Sequence, residues 1–154
     1  MSDLTIWSGG QTGVDRAGWD AARVLGLPIG GWVPRGRLAE DGVVPPEYEP
    51  VQETETADWG ERTTANVRDS DATLILFRGE LTGGTAFTHR EAIRLGRPVL
   101  AVDLEAAPAS EHVAQIREWL AAVAPARLNV AGPRESGSPG IGAAAGALLV
   151  QALR

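Results

Sequence analysis

The sequence predicts an α/β domain of three layers, in which an open, mainly parallel sheet is flanked by helices. Three observations carry that reading. Apolar runs of strand length alternate with helical patterns along the chain. The strands are apolar throughout, as strands covered on both faces are. Glycine-rich turns join strand to helix more than once, where a tight bend is needed.

Taken in order, Leu4–Ser8 reads as the first strand and Val14–Leu25 as the helix after it, closed by Gly26. Pro28–Val33 reads as a strand, and Val51–Glu53 as a weaker one. Asp58–Arg68 then forms a helix, Leu74–Phe77 a strand, and Ala86–Leu95 a helix closed by Gly96. Val99–Asp103, Ser110–Val123, Leu128–Ala131 and Gly140–Leu153 complete the alternation, with Pro139 placed to open the last helix. No repeat, low-complexity tract or linker interrupts the pattern, so residues 1–154 read as a single ligand-binding domain. Pro34–Pro50 has neither helical nor strand period, and reads as a functional loop or mobile lid.

Composition excludes several chemistries. The net charge of −6 argues against nucleic-acid binding, which wants a basic surface. No apolar run is long enough to cross a bilayer, and Met1-Ser2-Asp3 opens no signal peptide, so a cytoplasmic protein without membrane contact is expected. The absence of cysteine excludes disulfides, thiolate catalysis, thiolate-held zinc and iron–sulfur clusters. All 14 basic residues are arginine, which removes Schiff-base chemistry and the lysine of a P-loop. With two histidines, no histidine-rich metal site is expected, and His112 reads as a solvated surface residue. Carboxylates, hydroxyls, amides, backbone N–H groups and arginine remain. Such a set suits an anionic, polar small molecule.

The candidate site follows from placement. In an open parallel sheet, ligands bind beyond the carboxyl ends of the strands, near the point where strand order reverses. Four polar clusters fall on that rim. The first is Ser8-Gly9-Gly10-Gln11-Thr12-Gly13, with Asp15 and Arg16 opening the helix. Free N–H groups at a helix start favour an anion there. The second is Arg35-Gly36-Arg37 with Asp41, and the third is Gly83-Gly84-Thr85 with Thr88. The fourth is the turn around Arg134, and Arg62 and Asn66 share a helix face near the same edge. Neither glycine turn fits the dinucleotide fingerprint or the P-loop. Arg16, Arg35, Arg37 and Arg134 are suited to bidentate contact with phosphate or carboxylate oxygens.

These residues also carry a resemblance. The runs Ser8–Arg16, Gly31–Arg37, Glu40-Asp41-Gly42, Arg62–Val67, Asp69–Leu74, Leu81–Thr85 and Asn129–Arg134 resemble the molybdenum carrier family across nearly the whole chain. That family belongs to a Rossmann-like group that includes the LOG-type, or lysine decarboxylase-like, nucleotide-processing proteins. The resemblance implies a cytoplasmic carrier for molybdenum cofactor (molybdopterin) or a related phosphate-bearing, nucleotide-like ligand, and it implies a homo-oligomer. LOG-type phosphoribohydrolases carry glutamates after the glycine–threonine turn, where Phe87 and Thr88 stand here; Glu91 lies one helical turn further on. Loss of that proton transfer, worth ~10²–10⁴-fold, favours binding over catalysis. No catalytic residue is therefore assigned. The alternative is an enzyme acting on a nucleotide or nucleotide-sugar, with Asp15 as its acid or base. An interaction module is the weakest reading, since it needs an exposed apolar stripe that the tryptophan spacing does not supply.

Overall fold

The structure, a computed structural model, describes residues 3–154; the Met1-Ser2 part of the leader reading lies outside them. Its main sheet has five strands. These are β1 (Thr5–Trp7), β2 (Ile29–Gly30), β7 (Ala72–Phe77), β8 (Val99–Asp103) and β9 (Arg127–Ala131). Four short strands lie between them: β3 (Trp32–Val33), β4 (Leu38–Ala39), β5 (Gly42–Val43) and β6 (Gln52–Glu53). The helices are α1 (Val14–Val24), α2 (Trp59–Asp69), α3 (Gly83–Arg94), α4 (Ala109–Val123) and α5 (Ile141–Ala152).

Every pairing in the main sheet is parallel, and the order is β2-β1-β9-β7-β8. If counting starts at β9 and continues through β1, β2, β7 and β8, that order reads third, second, first, fourth, fifth. This is the Rossmann order. The strand that should come first in the chain comes last, so the connectivity is that of a circularly permuted Rossmann sheet. The order reverses between β9 and β7, at the middle of the sheet.

Burial follows the pattern expected of a sheet covered on both sides. All six residues of β7 are buried, and Leu128 and Val130 of β9 are fully covered. Helix α5 packs against α1 and α4, while α2 packs against α3, giving a helix layer on each face of the sheet. Close approach within the α1 layer relies on small residues: a Cβ at Gly18 would lie 2.9 Å from Val130 Cβ. Gly26 and Gly96 close their helices in the left-handed conformation, at φ +73° and +67°, as the sequence predicts.

Three readings are corrected. Pro28–Val33 is not one strand. Gly31, at φ +135°, turns the chain out of the main sheet, and Trp32–Val33 pairs instead with Gln52–Glu53. An apolar run carries no mark of such a break, because Gly31 reads as one more small residue. Pro34–Pro50 is not without regular structure either. Its β4–β5 hairpin is antiparallel, Val44 and Tyr48 are buried in the main core, and the Tyr48 hydroxyl donates to Asp20 at 2.6 Å. His112 is likewise buried rather than solvated, with Nε2 unpartnered inside α4.

Candidate functional site

The chain runs β1 directly into Ser8-Gly9-Gly10, β7 into Arg78-Gly79-Glu80 and β9 into Gly132-Pro133-Arg134. Parallel strands deliver these turns to one edge, so they meet where the strand order reverses. Between them opens a cleft of about 420 Å³. The Ser8–Arg16 turn and the Thr82–Thr88 turn line it together, through Gly9, Gln11 and Asp15 on one side and Gly83, Gly84, Thr85 and Thr88 on the other. Asn66, Arg62 and Arg134 complete the expected residues that reach it.

Helix α3 begins at Gly83, earlier than the sequence pattern suggests. Gly83 takes φ +52°, and a Cβ at Gly83 or Gly84 would meet nothing within 4 Å. The first-turn N–H groups of a helix have no partner within it. Thr82 makes no side-chain cap, and no acidic residue stands in the first turn. Its neighbours differ. Asp58 caps α2 through Glu61 N, and Glu135 occupies the start of α5 by accepting from Gly140 N at 2.5 Å and Gly142 N at 3.0 Å. Helix α3 therefore presents its positive end uncapped to the cleft.

Arg62 and Asp15 form the cleft's buried charge pair, 3.6 Å apart. Arg62 lies across Gly9, where a Cβ would come within 2.4 Å of its Cδ, and donates from Nη1 to Gly9 O at 3.0 Å. Only glycine leaves room for that crossing. Arg62 Nε and Gln11 Nε2 are both buried without a partner. Burial pushes Asp15 up to about 6, against the opposing pull of Arg62 and of the backbone N–H groups of Gln11 and Gly132. Burial likewise lowers Arg62 below the ordinary guanidinium range. Asp15 also ties the turn together, since its carbonyl accepts from Ser8 Oγ at 2.8 Å and its carboxylate from Gln11 N at 3.3 Å.

The second expected cluster does not reach the cleft. Arg16 is clamped to Asp41 at 2.5 and 2.8 Å, and also donates to Gly10 O. Arg37 is held by Glu49 and by the carbonyls of Val44, Pro45 and Tyr48. Arg35 turns to Glu55 O, and Gly36 N donates to Glu53. These arginines brace the hairpin segment. Ser8, Gly10, Thr12 and Gly13 also lie behind the cleft rather than on it. Thr12 Oγ1 donates to Glu40 and accepts from Glu135 N, while Gly13 packs against Pro133 O, only 2.3 Å from where a Cβ would stand. Asn66 reaches the cleft, but its amide pairs with both backbone groups of Trp32 at 2.8 and 2.9 Å. Thr88 donates back to Gly84 O at 2.9 Å.

Sequence reasoning missed Trp59, Arg78, Glu80, Phe87, Asn129 and Ser138, which also line the cleft. Arg78 and Glu80 had a legible signal, since they follow β7 on the same rim. Glu91 stays off the cleft. Thr64 and Arg94 hold its carboxylate, and the Arg94 bonds pull it down to about 2.

Sheet order and cleft together define a permuted Rossmann-like α/β protein whose ligand edge is rich in hydrogen-bond donors. A family model described as circularly permutated YpsA SLOG family matches residues 6–153, and the chain belongs to that family. That description agrees with the permuted strand order. Among solved structures, the chain is similar to a protein of Syntrophus aciditrophicus SB named "Putative molybdenum carrier protein". The identity is 43%, over 99% of this chain and 96% of that one, with a TM-score of 0.96. No curated protein matches the chain.

Proposed function

We propose that this protein binds and carries a phosphate-bearing, nucleotide-like small molecule, with molybdenum cofactor as the leading ligand. The observation that carries the reading is the uncapped start of α3, which faces a cleft whose floor holds the unpartnered Nε of Arg62. A phosphate there would receive N–H groups of Gly84 and Thr85 and lie in the field of Arg62, Arg78 and Arg134. The name of the Syntrophus protein supports the cargo. Among the described residues no group of three or more His, Cys, Asp or Glu is placed to hold a metal ion. In this reading the metal would travel on the cofactor's own dithiolene. Equilibrium dialysis of purified molybdenum cofactor tests this. Saturable uptake is expected, weakened at least tenfold by Gly84→Leu, whose side chain would enter open cleft. Uptake that is absent, or equal in the variant, contradicts the reading.

One observation favours a second reading. A buried carboxyl with a pKa of about 6 beside a cleft is the kind of group that serves as a general acid or base. Incubation with nucleoside monophosphates and nucleotide-sugars separates the two. Turnover abolished by Asp15→Asn supports an enzyme, and intact substrate supports a carrier.

A further inference from the structure

We propose that Trp59 and Phe87 grip a planar heteroaromatic ring at the mouth of the cleft, so that the protein selects ring-bearing phosphates over ring-free ones of equal charge. The inference rests on the phosphate reading above and adds what the other end of the ligand must be. Trp59 opens α2 and Phe87 lies in the second turn of α3, where the two helices pack together. Both residues line the cleft and both are half-buried. The chain has eight aromatic residues, five Trp, one Tyr and two Phe, and the others are otherwise committed. Trp7, Trp19, Tyr48 and Phe77 are buried, Trp119 packs on the core, and the Trp32 indole donates to Asp69 at 2.8 Å.

A Cβ at Gly60 would sit 3.7 Å from Phe87 Cε2, an ordinary contact distance, so the Phe87 ring lies beside the first turn of α2. Trp59 and Phe87 do not stack on each other; the stacked pair among the described residues is Trp19–Tyr48. A guanidinium lies over each ring within cation–π range, Arg62 over Trp59 at 5.6 Å and Arg90 over Phe87 at 5.9 Å. Phe87 is three residues beyond Gly84, roughly 4.5 Å along the helix axis. That spacing suits a phosphate on the first turn joined to a ring through one sugar or pyran unit. Stacking tolerates many rings, so the shared chemistry is a purine- or pterin-type system rather than one base.

Calorimetric titration with AMP and GMP, against ribose 5-phosphate and inorganic phosphate, tests the assignment. The native protein is expected to prefer the nucleotides. Trp59→Leu and Phe87→Leu should each weaken AMP and GMP about tenfold and leave ribose 5-phosphate within about twofold, while Phe87→Tyr retains nucleotide affinity. Equal losses for both ligand classes, no loss for either, or no native preference for the ring overturns the proposal. Phosphates that still bind, and still respond to Gly84→Leu, would leave the carrier reading standing while this one falls. Failure of the native protein to bind any of the phosphates would remove both.

Discussion

At the scale of single residues, Asp15 and Gly31 are under the most constraint. Asp15 is raised from 3.8 to about 6 by burial, so the folded state holds its proton more tightly than the unfolded chain does. Its contribution to stability is therefore full below about pH 4 and is lost as pH rises through about 6. The shift of about two pH units corresponds to roughly 3 kcal/mol. Urea unfolding of the native protein and Asp15→Asn, compared at pH 4 and pH 7, should show the native chain losing stability relative to the variant by that order. A constant difference between the two would contradict the burial of a titrating Asp15. Gly31 combines φ +135° with a would-be Cβ only 2.1 Å from Ser8 O. Gly31→Ala should cost on the order of 3 kcal/mol, read from the denaturant midpoint, since neither the backbone nor Ser8 can yield cheaply. A variant within about 0.5 kcal/mol of native would show that the turn relaxes.

At the scale of elements, the Leu38–Val43 hairpin joins the rim instead of covering the cleft. Glu40 accepts from Thr12 Oγ1, Ser136 N and Ser136 Oγ, and its own N–H donates to Gln11 Oε1 at 2.9 Å. It thereby straps the hairpin to the turns after β1 and β9. Glu40→Ala should speed amide exchange at Glu40 and Ser136 together, and unchanged exchange at both would mean the strap carries no load. This element also shows where sequence reading stops. Alternating apolar strands and glycine-closed helices were legible, because burial and capping write themselves into residue type. The hairpin was not, because the contacts that hold it join distant positions: the Glu40 strap, buried Val44 and Tyr48, and the pairs Arg16 with Asp41 and Arg37 with Glu49. An arginine that braces a loop looks, in sequence, the same as one that meets a ligand. Phe87 shows the converse. Its position was read as a missing carboxylate, whereas the fold places an aromatic ring in the cleft lining.

At the scale of the whole molecule, the permuted order decides which helix can take an anion. In an ordinary Rossmann protein the phosphate rests at the helix after the first strand in that order. Here that helix is α5, and the Glu135 carboxylate already accepts its N–H groups. The start of α3 has neither a side-chain cap nor a first-turn carboxylate, and it lies on the other side of the strand reversal, where the cleft lies. No helix among the described residues is long and apolar enough to cross a membrane.

A crystal of the protein grown with AMP is the most direct test that the cleft receives phosphate on α3. The account predicts phosphate oxygens within about 3.2 Å of the Gly84 and Thr85 N–H groups and facing Arg62. A phosphate found instead against α5, with Glu135 displaced, or on Arg35 and Arg37 outside the cleft, would contradict it.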